Sequence, residues 1–92
     1  MENTLIVTNN QIEFLHFIKA KYPIYHLSNL FFRDLHYGVK EFLDMKQCKL
    51  SYTDSEKVAR EVAQFYETKN IFKKIDKQSW VLLYPEFSLK KS

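Results

Sequence analysis

The chain has 92 residues, of which 46% are hydrophobic, 16% aromatic and 27% charged, and a formal net charge of +3. This length and composition exclude a disordered chain and indicate one domain over residues 1–92, with a core at about 5–87 and a frayed tail at 88–92. One cysteine excludes an internal disulfide, and no targeting signal or apolar run of roughly 18 residues is present. We therefore expect a cytoplasmic protein with no membrane segment.

The first part of the chain is predicted to be a short strand followed by a helix. Thr4–Val7 has the composition of a strand. Thr8–Gln11 has the spacing of a capping box, which would start a helix at Asn9. The helix should end near Lys21, since Pro23 disfavours helical geometry at the residue before it. Two residues flanking the cap are placed to form a hydrophobic staple: Val7 and Ile12.

A second helix is predicted after a connector at Tyr22–Leu27. Ser28 is a plausible cap, with Leu27 and Phe32 as its staple. Gly38 interrupts the pattern and either bends one helix or separates two, because a glycine inside a helix costs about 1 kcal/mol relative to alanine. We favour one bent helix that ends near Gln47. Its apolar positions recur at helical spacing: Leu30, Phe31, Phe32, Leu35, Val39, Phe42, Leu43 and Met45.

The third predicted helix has the clearest pattern in the chain. Thr53 and Glu56 form a capping box, so the helix should run from Asp54 to about Lys69. Asn70 follows, at a position where a left-handed residue often ends a helix. The predicted core face spans an arc of roughly 160° and consists of Val58, Ala59, Val62, Ala63, Phe65 and Tyr66.

A β-hairpin is predicted directly after this helix. Its strands are Ile71-Phe72 and Trp80–Tyr84, on either side of Asp76–Gln78, and Pro85 should stop the second strand. Residues 71–92 contain five lysines and two acidic residues, so the whole excess of +3 lies here. Lysines beside aromatic residues favour nucleic-acid binding, although lysines on a hairpin edge also prevent aggregation.

Three helices followed by a hairpin is the order of a winged-helix domain, and residues 53–84 resemble that superfamily. The resemblance implies a mainly α fold with a small β-hairpin: a three-helix, winged-helix-like single domain. It also implies that the third helix enters the major groove of DNA and that the hairpin, or wing, lies along the phosphates. The residues facing the groove would then be Lys57, Arg60, Glu61 and Gln64. Those facing phosphates would be Lys73, Lys74, Lys77 and Gln78.

One feature departs from the usual winged-helix pattern. The exposed side of the third helix carries three carboxylates beside its two cations, and a phosphate backbone would repel them. The same residues fit a solvated helix surface, since Glu56 and Arg60, like Lys57 and Glu61, are spaced as i,i+4 pairs.

Two functions follow from this sequence. The first is a small DNA-binding, regulator-like protein. The second is a protein-interaction or assembly subunit on the same scaffold, with no nucleic-acid binding, because dense aromatic residues suit an interface with another protein or a second copy of the chain. The three histidines lie ten positions apart, which is not a metal-ligand spacing. No nucleophile is paired with a base and no glycine-rich loop is present, so we expect no enzymatic activity, no cofactor and no metal.

Overall fold

The computed structural model describes residues 2–88, so most of the predicted frayed tail, residues 89–92, lies outside the described part. The helices of this part are α1 (Glu2–Thr8), α2 (Gln11–Lys21), α3 (Phe32–Met45) and α4 (Tyr52–Thr68). The strands are β1 (Asn29–Phe31), β2 (Phe72–Asp76) and β3 (Ser79–Leu82), and a short 3-10 helix follows at Pro85–Phe87.

The predicted N-terminal strand is wrong, because this segment forms helix α1. Val7 and Thr8 are buried, and α1 packs against α3 and α4. Asn3 lies four positions before Val7, on the same side of the helix, and accepts a bond from the Cys48 thiol. Packing against two other helices therefore outweighs the strand preference of the β-branched residues.

The predicted start of α2 is also corrected. The helix begins at Gln11, and Thr8 belongs to α1. Asn10 precedes the helix, but its side-chain amide turns back and donates to the Ile6 carbonyl at 2.7 Å, which caps the end of α1. Ile12 is 48% exposed, so the predicted staple does not form.

Ser28 does not cap α3. Its hydroxyl accepts from the Tyr25 amide at 2.8 Å and closes a turn in the connector. The next three residues form β1, which pairs with β3, and α3 begins only at Phe32. Leu27 is 64% exposed with a φ of 72°, which removes the predicted staple.

Helix α3 continues through Gly38, as predicted, with no break. A Cβ added at Gly38 would lie 3.2 Å from Cγ1 of Ile18 on α2. This distance is shorter than ordinary van der Waals contact, so glycine allows α2 and α3 to approach closely. The glycine therefore has a packing role that offsets its low helix propensity.

Helix α4 follows its predicted pattern, with a different cap. It starts at Tyr52, and the Ser51 hydroxyl accepts from the Asp54 amide, so Ser51 replaces Thr53 as the cap. The predicted core face is confirmed, except that Phe65 is only half-buried. Asn70 has a φ of 60°, the left-handed geometry expected at the end of the helix.

The hairpin is confirmed, and it gains a third strand. The sheet is antiparallel with the order β1-β3-β2, so β3 is central. The β2–β3 turn contains only Lys77 and Gln78. Leu30 and Trp80 are opposite each other and buried, so this side of the sheet faces the helices.

The core is a chain of aromatic rings that joins the helices to the sheet. Phe14 meets Phe42 edge-on at 5.2 Å, Tyr66 stacks on Phe72 at 4.8 Å, and Phe72 lies 5.8 Å from Trp80. The radius of gyration is 12.5 Å, close to the ~12 Å expected for a compact domain of this length. The mainly helical class with a small antiparallel sheet is thus confirmed, with four helices in residues 2–88 where three were predicted. None of these helices has the length and apolar character required to cross a membrane.

Candidate nucleic-acid interface

Lys57 and Gln64 lie on the exposed side of α4. They are two turns apart, on the same side of the helix. Within residues 2–88, no hydrogen bond or ion pair engages either side chain. Both side chains are therefore open to solvent.

Arg60, one turn after Lys57, is held by its neighbours although it is exposed. Its guanidinium donates to the Lys77 carbonyl in the hairpin turn at 2.7 Å. The same group lies 3.8 Å from the centre of the Phe32 ring, at the start of α3. Arg60 thus bridges α4, α3 and the hairpin.

Glu61 is engaged on the other side of α4. The Thr4 hydroxyl of α1 donates to its carboxylate. The hairpin therefore borders α4 on one side and α1 borders it on the other. The hydroxyl is a neutral donor, so Glu61 keeps its negative charge and the predicted repulsion between phosphates and this carboxylate stands.

The hairpin turn is fixed by hydrogen bonds of its own. The Asp76 carboxylate accepts from the Gln78 amide at 2.8 Å and from the Ser79 hydroxyl at 2.9 Å. These bonds, the first above all, lower the pKa of Asp76 below its usual value. The Phe32 amide donates to the Gln78 carbonyl at 2.7 Å, which joins the turn to the start of α3.

The strand register separates the lysines of the hairpin. Lys74 is opposite Trp80 and borders α4, whereas Lys73 is opposite Val81, on the other side of the sheet. Lys77 and Gln78 are exposed in the turn. The structure thus brings together, on what we call the α4–hairpin face, six of the predicted residues: Lys57, Arg60, Gln64, Lys74, Lys77 and Gln78. Lys73 does not join them.

An open cleft lies between α4 and β2, with a volume of about 230 Å³. Its lining includes Gln64, Glu67 and Lys74, and its floor is Trp80, whose indole N–H donates to Glu67 at 2.7 Å. The cleft is smaller than the roughly 300–1,000 Å³ of typical small-molecule pockets.

Two residues beside the turn were not predicted as part of a site. Phe31 is 52% exposed, and Arg33 is exposed two positions later. Both flank Phe32, whose amide binds the turn. The sequence places them inside a predicted helix, so only the pairing of β1 with β3 reveals their position.

The ion pairs among the described side chains lie away from this face. Lys21 pairs with Glu41 at 2.7 Å and Lys46 with Glu13 at 3.1 Å, so both join α2 to α3. The lysines of the α4–hairpin face thus keep their charge available, as far as residues 2–88 are concerned.

Within residues 2–88 no cluster of three metal-ligating side chains occurs. His36, one of the three histidines, is buried, with Nε2 2.9 Å from the Ser55 hydroxyl. Comparisons of the chain with protein-family models, with curated proteins and with solved structures found no significant match. The assignment of a function therefore depends on the geometry of the α4–hairpin face.

Proposed function

We propose that this protein is a winged-helix-like DNA-binding domain that uses the α4–hairpin face. The observation that carries the proposal is the docking of the hairpin turn against α4, through Arg60, and against the start of α3, through Phe32. This docking places a cationic turn beside an exposed helix side. The element order supports the winged-helix assignment, because β1 precedes α3, and α4 leads directly into the hairpin.

Helix α4 would enter the major groove. It has 17 residues, or about 25 Å of helix, and the groove is about 12 Å wide. Gln64 has an amide that can pair with an adenine edge, and Lys57 has an ammonium that can reach guanine or a phosphate. Among the described residues, no hydrogen bond or ion pair engages either side chain.

The hairpin would contact the DNA backbone. Lys74 and Lys77 supply the charge, and the Gln78 amide supplies a neutral donor for a phosphate oxygen. Each lysine that neutralises a phosphate releases condensed counterions, so affinity should fall as salt rises.

The test is a fluorescence anisotropy titration of a mixed-sequence duplex at two salt concentrations. We expect binding that weakens with salt, and Lys77→Ala should weaken it further and flatten the salt slope by about one unit. The matched control is Lys46→Ala, which removes the same charge at the opposite end of α3, about 20 Å along the helix. No binding at low salt, or equal effects of the two variants, would contradict the proposal.

Exposed apolar side chains favour a second candidate, a protein-interaction subunit with a protein or a second copy of the chain as partner. Phe31 and Ile75, each 52% exposed, lie on the two outer strands near the turn. A protein partner that covers them would bind with little dependence on salt. Phe31→Ala would then abolish binding, whereas Lys77→Ala would not.

A further inference from the structure

Arg60 makes two contacts that are unusual for an exposed side chain at a proposed phosphate-binding face. The carbon of the guanidinium lies over Phe32, 3.8 Å from the ring centre, and one of its nitrogens donates to the Lys77 carbonyl. A planar, delocalised cation suits both contacts, and an ammonium suits them poorly.

The same turn has a second attachment. The Phe32 amide donates to the Gln78 carbonyl, so the two carbonyls of the two-residue turn are bound from outside the hairpin by adjacent groups. Phe32 takes part in both attachments, once through its amide and once through its ring. Without Arg60, the turn would keep the Phe32 amide bond and the adjacent pairing of Phe31 with Ser79 but would lose its own bond to α4.

This attachment sets the distance between Lys77 in the turn and Lys57 on α4. A rigid spacing matters for a backbone-reading surface, because phosphates along a strand are regularly spaced and contacts to them fix the register of the protein. A turn that has lost its bond to α4 would have to be ordered on binding, which costs affinity.

We propose that Arg60 is a positioning residue, which holds the hairpin turn at a fixed place beside α4 and does not itself neutralise a phosphate. This inference rests on the proposed DNA-binding function. It differs from the role that the winged-helix resemblance implies for Arg60, which is a direct contact in the groove.

The test compares Arg60→Lys with Lys57→Ala in two measurements. The first is amide hydrogen exchange of the protein without DNA, with the Phe32 amide as the reporter of the turn. The Leu83 amide, which binds the Ile71 carbonyl at the open end of the hairpin, reports on general loosening. The second measurement is duplex binding over a range of salt concentrations.

Arg60→Lys keeps the charge and loses the stacking and the bond to the carbonyl. We expect exchange at Phe32 to accelerate about tenfold, the size of one lost charge-assisted hydrogen bond, with Leu83 unchanged. Duplex affinity should fall with an unchanged salt slope. Lys57→Ala should leave Phe32 exchange unchanged and flatten the slope by about one unit.

Three results would overturn the inference. One is unchanged Phe32 exchange in Arg60→Lys, and another is faster exchange with unchanged affinity. The third is an Arg60→Ala variant that flattens the slope by one unit while the turn stays protected, because Arg60 would then be a phosphate contact. If the unchanged protein binds no duplex, the DNA-binding function and the role of Arg60 in it are both overturned. The hydrogen-exchange measurement, made without DNA, still decides whether Arg60 holds the turn.

Discussion

Tyr66 combines complete burial with a hydrogen bond that spans two helices. Its phenol lies in the core and donates to the Gln11 carbonyl at the start of α2 at 2.7 Å. Burial, more than any nearby charge, raises the pKa of Tyr66 far above its usual value. Ionisation of this phenol in the folded protein would leave a charge among aromatic rings.

Folding stability should therefore fall at alkaline pH. The phenol of an unfolded chain ionises near pH 10, whereas the folded protein keeps the proton to higher pH. Below pH ~10 both states hold the proton and Tyr66 adds no pH dependence, and above it the unfolded state gains stability as it ionises. Tyr66→Phe should lower the free energy of unfolding by about 0.5–1.5 kcal/mol at neutral pH and weaken the alkaline loss.

Urea unfolding at neutral pH and again above pH 10 measures both effects. Tyr37→Phe is the matched control, because Tyr37 is 40% exposed and should change neither quantity. An equally steep alkaline loss in Tyr66→Phe and in the unchanged protein would mean that the phenol is hydrated in the fold.

At the scale of elements, the cap of α4 is the feature in which the structure differs most clearly from the prediction made from local sequence. Ser51 with Asp54, and Thr53 with Glu56, both have the spacing of a capping box, and they lie only two positions apart. In the structure, Ser51 is the residue that caps the helix. Local rules cannot separate the two, because the choice depends on how the preceding loop leaves α3.

We expect Ser51→Ala to destabilise the protein by about 1 kcal/mol, since the Asp54 amide loses its acceptor. Thr53→Ala should be close to neutral, because Thr53 lies inside the first turn of the helix. Chemical denaturation of the two variants under the same conditions measures the difference. A larger loss from Thr53→Ala would restore the predicted cap.

Elements that depend on distant partners could not be predicted from the sequence. Strand β1 has three residues and exists through pairing with β3, about 50 positions later. Helix α1 depends on burial against α3 and α4. In contrast, α4 and the hairpin were predictable, because an unbroken helical period and a short polar turn carry their own signals.

The residues of the candidate site also fall into two groups: those whose positions follow from local sequence and those whose positions depend on distant partners. Exposure of Lys57 and Gln64 follows from the period of α4, which the sequence displays. The separation of Lys73 from Lys74 follows from the strand register, and the place of Phe31 beside the turn follows from the pairing of β1 with β3. The engagement of Arg60 requires the whole fold, since it joins α4 to groups in α3 and the turn.

At the scale of the whole molecule, the lysines of the α4–hairpin face are set apart from the ion pairs of the described residues but not from exposed apolar side chains. The ion pairs of the described residues join α2 to α3, while the lysines of the α4–hairpin face carry no ion-pair partner there. Leu5, Ile12 and Met45 are exposed on α1, α2 and the end of α3. Among the described residues, the molecule thus offers lysines without ion-pair partners on the α4–hairpin face, with exposed apolar side chains both near the turn, at Phe31 and Ile75, and elsewhere.

The central claim is that nucleic acid binds the α4–hairpin face, and an NMR titration of the ¹⁵N-labelled protein with a short mixed-sequence duplex tests it most directly. We expect amide shifts concentrated at Lys57, Gln64, Lys77 and Gln78, with resonances of Ile12 and Met45 unchanged. Shifts centred on Ile12 and Met45, or no shifts at low salt, would contradict the claim.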